Sequence, residues 1–268
     1  MPLLARKPTR NSSETPEELR ATLGQHLEEL RVRLFRIVAI LVAGIAIAWW
    51  FEPYFYDQLN NLAAKGVPQD VKYKEAFRSI TEAFFLKLKL SFYISLVGTL
   101  PLTVMQLWGF ISPGLRPHER RPLKIVVPIS SLLFLFGAWL AWFITPITIG
   151  WFVDFVKEFP GVEVIQEPAF LIFFIVKMMI AFGIGFQLPL VVFFLTKVGI
   201  ITPDALMRYW RQSTLGVFVA AAVITPSGDP FTMLLMAVPL TTLFFASVVA
   251  AKMTSRKSAR SDELNDLD

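Results

Sequence analysis

The sequence predicts an all-α polytopic membrane protein with six transmembrane helices, and three observations lead there. Hydrophobic residues fill 54% of the 268 positions and charged ones 18%, where a soluble domain has about 45–50% and about 25%. The mean hydropathy is +0.55, and the apolar residues come in long runs. Basic residues flank those runs instead of forming one patch, so the net charge of +5 points to membrane topology and away from nucleic acid. Absence of cysteine removes disulfides, thiolate metal sites and a cysteine nucleophile. His26 and His118 are far apart in sequence, which argues against a metal or catalytic cluster. No cofactor and no metal are expected.

A crossing helix needs about 20 apolar residues at about 1.5 Å each. Five stretches meet or approach that length: Val32 to Phe51, Phe84 to Trp108, Ile125 to Gly150, Pro168 to Thr196 and Phe231 to Ala251. A sixth, Gln212 to Thr225, reaches only about 21 Å, and Thr225-Pro-Ser-Gly-Asp-Pro230 is a turn that sends the chain straight back. Arg31, Arg33, Arg36, Arg116, Arg120, Arg121, Lys124, Lys197, Arg208, Arg211 and Lys252 gather on one side of this arrangement. The positive-inside rule therefore puts both termini in the cytoplasm. The weak point is the first external loop, with Lys65, Lys72, Lys74 and Arg78. Prolines 101, 128, 146, 189 and 239 each remove a helix hydrogen bond, and the kinks they favour would shape a concave wall.

Residues 15–252 form a single transmembrane domain between polar tails, 1–14 and 253–268, whose composition predicts disorder. Thr15-Pro16-Glu17-Glu18 is a capping box with proline at the first helical position, so a helix starts there. Leu19, Leu23, Leu27, Leu30 and Leu34 make a stripe suited to the membrane surface before the chain turns in. In the charged stretch that follows, Glu28 can pair with Arg31 and Glu29 with Arg33 at helical spacing.

His26-Leu-Glu-Glu-Leu-Arg31 before the first span, and Phe110-Ile-Ser-Pro-Gly-Leu115 with His118-Glu-Arg-Arg121 after the second, closely resemble the TatC family. This is the integral receptor subunit of the twin-arginine protein translocase. The resemblance continues through Ala181-Phe-Gly-Ile-Gly-Phe-Gln-Leu-Pro189, Gly199-Ile-Ile-Thr-Pro-Asp204 and Thr225-Pro-Ser-Gly-Asp229, in order, over residues 23–252. It implies a concave six-helix bundle in the inner membrane of a bacterium or archaeon. It also implies recognition of twin-arginine signal peptides on folded cargo, single-span TatA and possibly TatB partners, an oligomeric working complex in lipid, and export driven by the proton gradient. By motif position Glu29 and Glu119 would be the carboxylates that hold the paired guanidinium groups. Phe110 belongs to the same surface, and Arg31 would orient Glu29, since its charge repels an arginine ligand.

Gln187 falls near the midplane of the fourth span, where an amide must find a partner. It stands where the family commonly has glutamate, and it imitates a protonated carboxyl without being able to ionise. A docking point for a partner's helix follows, with Gly183 one turn away leaving room for close approach; a tie between helices of this chain is the alternative. Lys177, Lys87 and Lys89 are expected to snorkel outward. Glu82 and Asp229, at the outer side, are candidates to pair with such lysines, although an Asp-Pro turn explains Asp229 almost equally well. A small-solute transporter is the second reading of the chain, and an intramembrane enzyme, lacking a nucleophile and base, the third.

Overall fold

The computed structural model describes residues 16–68, 70–71, 73–111, 123–159 and 161–265. They form α1 (Pro16–Ala64), β1 (Tyr73–Glu75), α2 (Ile80–Gly98), α3 (Leu100–Ile111), α4 (Leu123–Val156), β2 (Val164–Gln166), α5 (Pro168–Gly185), α6 (Leu188–Val198), α7 (Pro203–Arg208), α8 (Trp210–Ile224) and α9 (Pro230–Asn265). The helix expected at Thr15-Pro16 does start at Pro16. It then runs unbroken for 49 residues, so the surface helix and the first span are one element. No proline interrupts it between Pro16 and Pro53, and without one nothing forces a change of direction. At the other end α9 continues to Asn265, well into the stretch expected to be disordered from residue 253. Its alanine, lysine, arginine and glutamate are strong helix formers. Residues 1–14 lie outside the described residues.

Four helical stretches are long and apolar enough to cross a membrane: Glu28–Ala64, Pro128–Val156, Pro168–Lys197 and Pro230–Thr254. Ile80–Gly98 and Leu100–Leu107, bent by 56° at the α2–α3 break, are long and apolar enough only when taken together, which makes four candidate spans, or five if that pair is one span. The expected sixth, α8, has 15 residues, short of a span by length alone. Of the five prolines expected to kink helices, two sit where a helix is interrupted. Pro101 and Pro189 each fall in the first turn of a new helix, α3 and α6, where the missing N–H costs nothing. Pro128, Pro146 and Pro239 stay inside continuous helices.

Two apolar clusters hold the bundle. One packs α4, α5, α8 and α9 around Phe182, Phe186, Met236 and Leu240, all 0% exposed. The other packs the ends of α1 and α2 against α4 and α5 around Leu62, Leu90, Ile172 and Ile175. Helices α4 and α5 come close at Gly137, where a Cβ would stand 2.6 Å from the Phe182 carbonyl oxygen. Small residues let membrane helices touch backbone to backbone in this way.

At one end, here the sheet end, β1 and β2 pair in parallel with Tyr73 opposite Val164 and Glu75 opposite Gln166. Ion pairs bind the same two loops: Lys74–Glu163 at 3.1 Å, Lys157–Asp70 at 3.7 Å, and Arg78–Glu167. Two of the cationic residues that weakened the charge count in the first loop, Lys74 and Arg78, are therefore answered by carboxylates. At the opposite end, the tail end, Lys252 of α9 meets Asp204 of α7 at 2.6 Å.

Candidate functional site

Of the two carboxylates expected to form a recognition pocket, Glu29 is described, on α1 at the tail end. Glu119 lies outside the described residues. Glu29 Oε1 accepts two hydrogen bonds from Arg33, from Nε at 3.0 Å and from the terminal Nη2 at 2.6 Å. The same guanidinium reaches across to α3 and donates to the Gln106 carbonyl at 3.4 Å. It does so over Gly109, at which any side chain would collide with the Arg33 guanidinium. Arg33 thus ties the start of the first span to the last turn of α3, and Phe110, the penultimate residue of that helix, opens the motif that leads toward Glu119.

Arg31 does not orient Glu29. It is exposed and lies over the Phe35 ring, 5.7 Å from its centroid; the positioning residue is Arg33, whose side chain is 22% exposed against 33% for Glu29. Helical spacing allowed the Glu29–Arg33 pair, but its anchorage on α3 had no local signal. Both Arg33 bonds fall on Oε1, so Oε2 of Glu29 accepts none from that guanidinium.

Gln187 and Gly183, expected to receive a partner helix, are engaged within the chain. The Ser130 hydroxyl donates to Gln187 Oε1 at 2.8 Å, and Gln187 Nε2 donates back to the Ser130 carbonyl at 2.9 Å. The space left by Gly183 is taken by the Phe134 ring. Both features brace α4 against the α5–α6 break, the intrachain alternative to docking. Gln187 itself stays half-exposed.

Glu82 and Asp229 turn out to be helix caps and not partners for lysines. Glu82 Oε2 accepts the Arg78 backbone N–H at 2.8 Å, and Ser79 Oγ, at the N-cap of α2, accepts the Thr81 N–H at 3.3 Å, satisfying one of the helix's orphan donors. Asp229 Oδ1 accepts the Thr232 N–H at 2.7 Å ahead of α9. Lys87 meets the buried Glu52 at 3.9 Å and lies 4.9 Å over Trp49, so it is held laterally and does not simply snorkel.

Burial alone would raise the Asp229 carboxyl. Polar neighbours outweigh it and hold the group below its usual range; the bond of good geometry is the one from the Thr232 N–H, while the nearby Ser227 and Thr232 hydroxyls are not in hydrogen-bonding geometry. A depressed folded value stabilises the protein above the ordinary carboxylate pKa of about 3.9 and loses that contribution as pH falls through the lower, folded value. The acid-side fall in unfolding temperature is expected to be shallower in Asp229→Ala, with about 1 kcal/mol lost at neutral pH for the cap. Thermal unfolding in detergent across pH checks this.

The family profile described as Sec-independent protein translocase protein (TatC) matches residues 25–239. The chain belongs to the TatC family. It is 35% identical to the chloroplastic Sec-independent protein translocase protein TATC of Arabidopsis thaliana, over 91% of this chain and 70% of that protein. It is 34% identical to TatC of Carboxydothermus hydrogenoformans, over 90% of this chain and 97% of that one. A crystal structure described as the twin arginine translocase receptor TatC superposes with a TM-score of 0.67 at 31% identity, covering 86% of this chain and 99% of the other. TatC is a membrane component of a protein translocase and not an enzyme. With that, the solute-transporter and enzyme readings fall away.

Proposed function

We propose that this TatC chain captures twin-arginine signal peptides of folded cargo at its tail end, which faces the cytoplasm, and there organises single-span TatA-type and, where present, TatB-type partners for export driven by the proton gradient. The observation that carries the reading is Glu29: its Oε1 is clamped by Arg33, its Oε2 accepts no bond from another of the described residues, and it stands close to the last residues of α3, after which the chain leads to Glu119. A carboxylate fixed through one oxygen presents the other with little entropy left to lose, and a guanidinium fork is the ligand that suits it. Arginine residues flank the tail-end helix boundaries, which supports six crossings with both termini on the cytoplasmic side of a bacterial or archaeal inner membrane. Five of the six are long by themselves or as a bent pair, and α8 is the short one. A partner helix docking at Gln187 would have to replace the two bonds its amide makes to Ser130 within this chain.

The test is copurification of the full chain with a twin-arginine precursor and with its double-lysine version. Capture of the first and loss of the second is expected. Glu29→Ala and Glu119→Ala should each weaken capture by about tenfold or more, one charge-assisted interaction of ~1.5–3 kcal/mol, while both variants still insert. Undiminished capture by both would refute the pocket.

A further inference from the structure

Two lysines face one cleft at a single depth of the fold. Lys89 lies nine residues past the start of α2 and Lys177 nine residues past the start of α5, so each is about 13 Å along its helix. Both helices start at the sheet end, where the Arg78–Glu167 pair joins the residues just ahead of them. The cleft between α1, α2 and α5 measures about 460 Å³ and has Ile45, Leu88, Phe92 and Phe173 as apolar walls. Lys89 leans into it: Nζ sits 5.8 Å from the centroid of Phe173, one helical turn before Lys177 and within cation–π range. Lys74, Arg78, Lys87 and Lys157 each meet a carboxylate; among the described residues Lys89 and Lys177 do not. Two ammonium groups sharing one recess repel each other unless an anion lies between them.

We propose that this cleft binds an anionic phospholipid, its phosphate held between Lys89 and Lys177 and its acyl chains running over Leu88 and Phe92. Depth supports a lipid. Trp49, Trp50 and Tyr54 mark the interfacial level on α1, Lys87 lies over Trp49, and Lys89 is two residues, about 3 Å, further in. That is the level of phosphates and glycerol, and basic pockets between membrane helices bind such headgroups. A carboxylate on a partner helix fits less well. The lining covers Leu88 to Tyr93 on α2 and Phe173 to Lys177 on α5, about 8 Å and 6 Å of rise, whereas a docked helix needs a groove along about 30 Å of hydrocarbon.

The full chain is reconstituted in phosphatidylcholine nanodiscs with and without phosphatidylglycerol, and retained lipid is read by native mass spectrometry alongside the unfolding temperature. Wild type should retain phosphatidylglycerol in preference to phosphatidylcholine. The Lys89→Gln, Lys177→Gln double variant should lose that preference by about tenfold, and the double arginine variant should keep it. The same preference in the glutamine variant overturns the proposal. So does equal stabilisation of delipidated protein by inorganic phosphate, which marks a free-anion site, and so does loss of a copurifying single-span subunit with lipid preference intact, which marks a helix site. If the double glutamine variant does not fold, Lys177→Gln alone and the lipid competition on wild type decide, and absence of any preference in wild type is again fatal.

Discussion

Gly137→Leu is expected to abolish folded protein, and even Gly137→Ala to lower the unfolding temperature markedly. The reason is the nature of what a Cβ would strike. At Gly137 the nearest atoms are the Phe182 carbonyl oxygen at 2.6 Å, its carbonyl carbon at 2.9 Å and the Gly183 Cα at 3.0 Å. None of these is a side chain that can turn aside, so α4 and α5 must separate. Separation would open the contacts around Phe134 and Phe182, both nearly or wholly inaccessible, and stretch the Ser130–Gln187 bracket at the same seam. Overpacking a well-filled core by a methylene or so costs about 1–3 kcal/mol, and leucine adds three carbons beyond the first clash. Gly216 supplies the control. It lies in α8 with open space around it, so Gly216→Ala should be neutral or stabilising by up to about 1 kcal/mol through helix propensity. Monodispersity after solubilisation and thermal unfolding in detergent measure both variants. Equal behaviour of Gly137→Ala and Gly216→Ala would show that the α4–α5 approach does not govern stability.

The helices of this fold were legible because apolar run length and proline position are local properties. Pro16 starts α1 as expected, whereas Pro101 and Pro189, expected as kinks within one span, each open a new helix, α3 and α6. The parallel pairing of Tyr73–Glu75 with Val164–Gln166 was not legible. Three-residue strands have no useful periodicity, and the partners are about ninety positions apart. Glu82 and Asp229 could be singled out as acidic residues near helix starts, but whether each bonds a lysine or a backbone N–H depends on turn geometry. Gln187 showed the same limit from the other side: a buried amide demands a partner, and only the three-dimensional neighbourhood names Ser130. For Glu29, i+4 spacing offered Arg33, while reasoning about the motif preferred Arg31. The deciding facts, a carbonyl at Gln106 and a missing side chain at Gly109, lie on another helix.

Arg33→Leu is expected to remove precursor capture almost as fully as loss of Glu29, although Arg33 carries the same charge as the ligand. Were Arg33 merely a neighbouring cation, its removal would relieve repulsion and strengthen capture. The geometry predicts the reverse, because Arg33 fixes Glu29 through Oε1 and anchors the pair on the last turn of α3. Without it Glu29 is a long, solvated side chain that must pay rotamer entropy to bind, and α1 loses its polar tie to the segment leading to Glu119. A loss of about tenfold or more in precursor affinity follows, the equivalent of ~1.5–3 kcal/mol for a charge-assisted bond. Lysine separates charge from shape at this position. Arg33→Lys keeps the cation but cannot supply two bonds to Oε1 and one to the Gln106 carbonyl from a planar fork, so it should restore insertion and stability more than capture. Gly109→Ala should reproduce the capture defect with Arg33 intact, by pushing the guanidinium off α3. Crosslinking of a twin-arginine peptide to the wild type and these three variants, with membrane insertion measured in parallel, settles the direction. Stronger crosslinking in Arg33→Leu would mean that the arginine opposes the ligand, and that Glu29 needs no clamp to receive it.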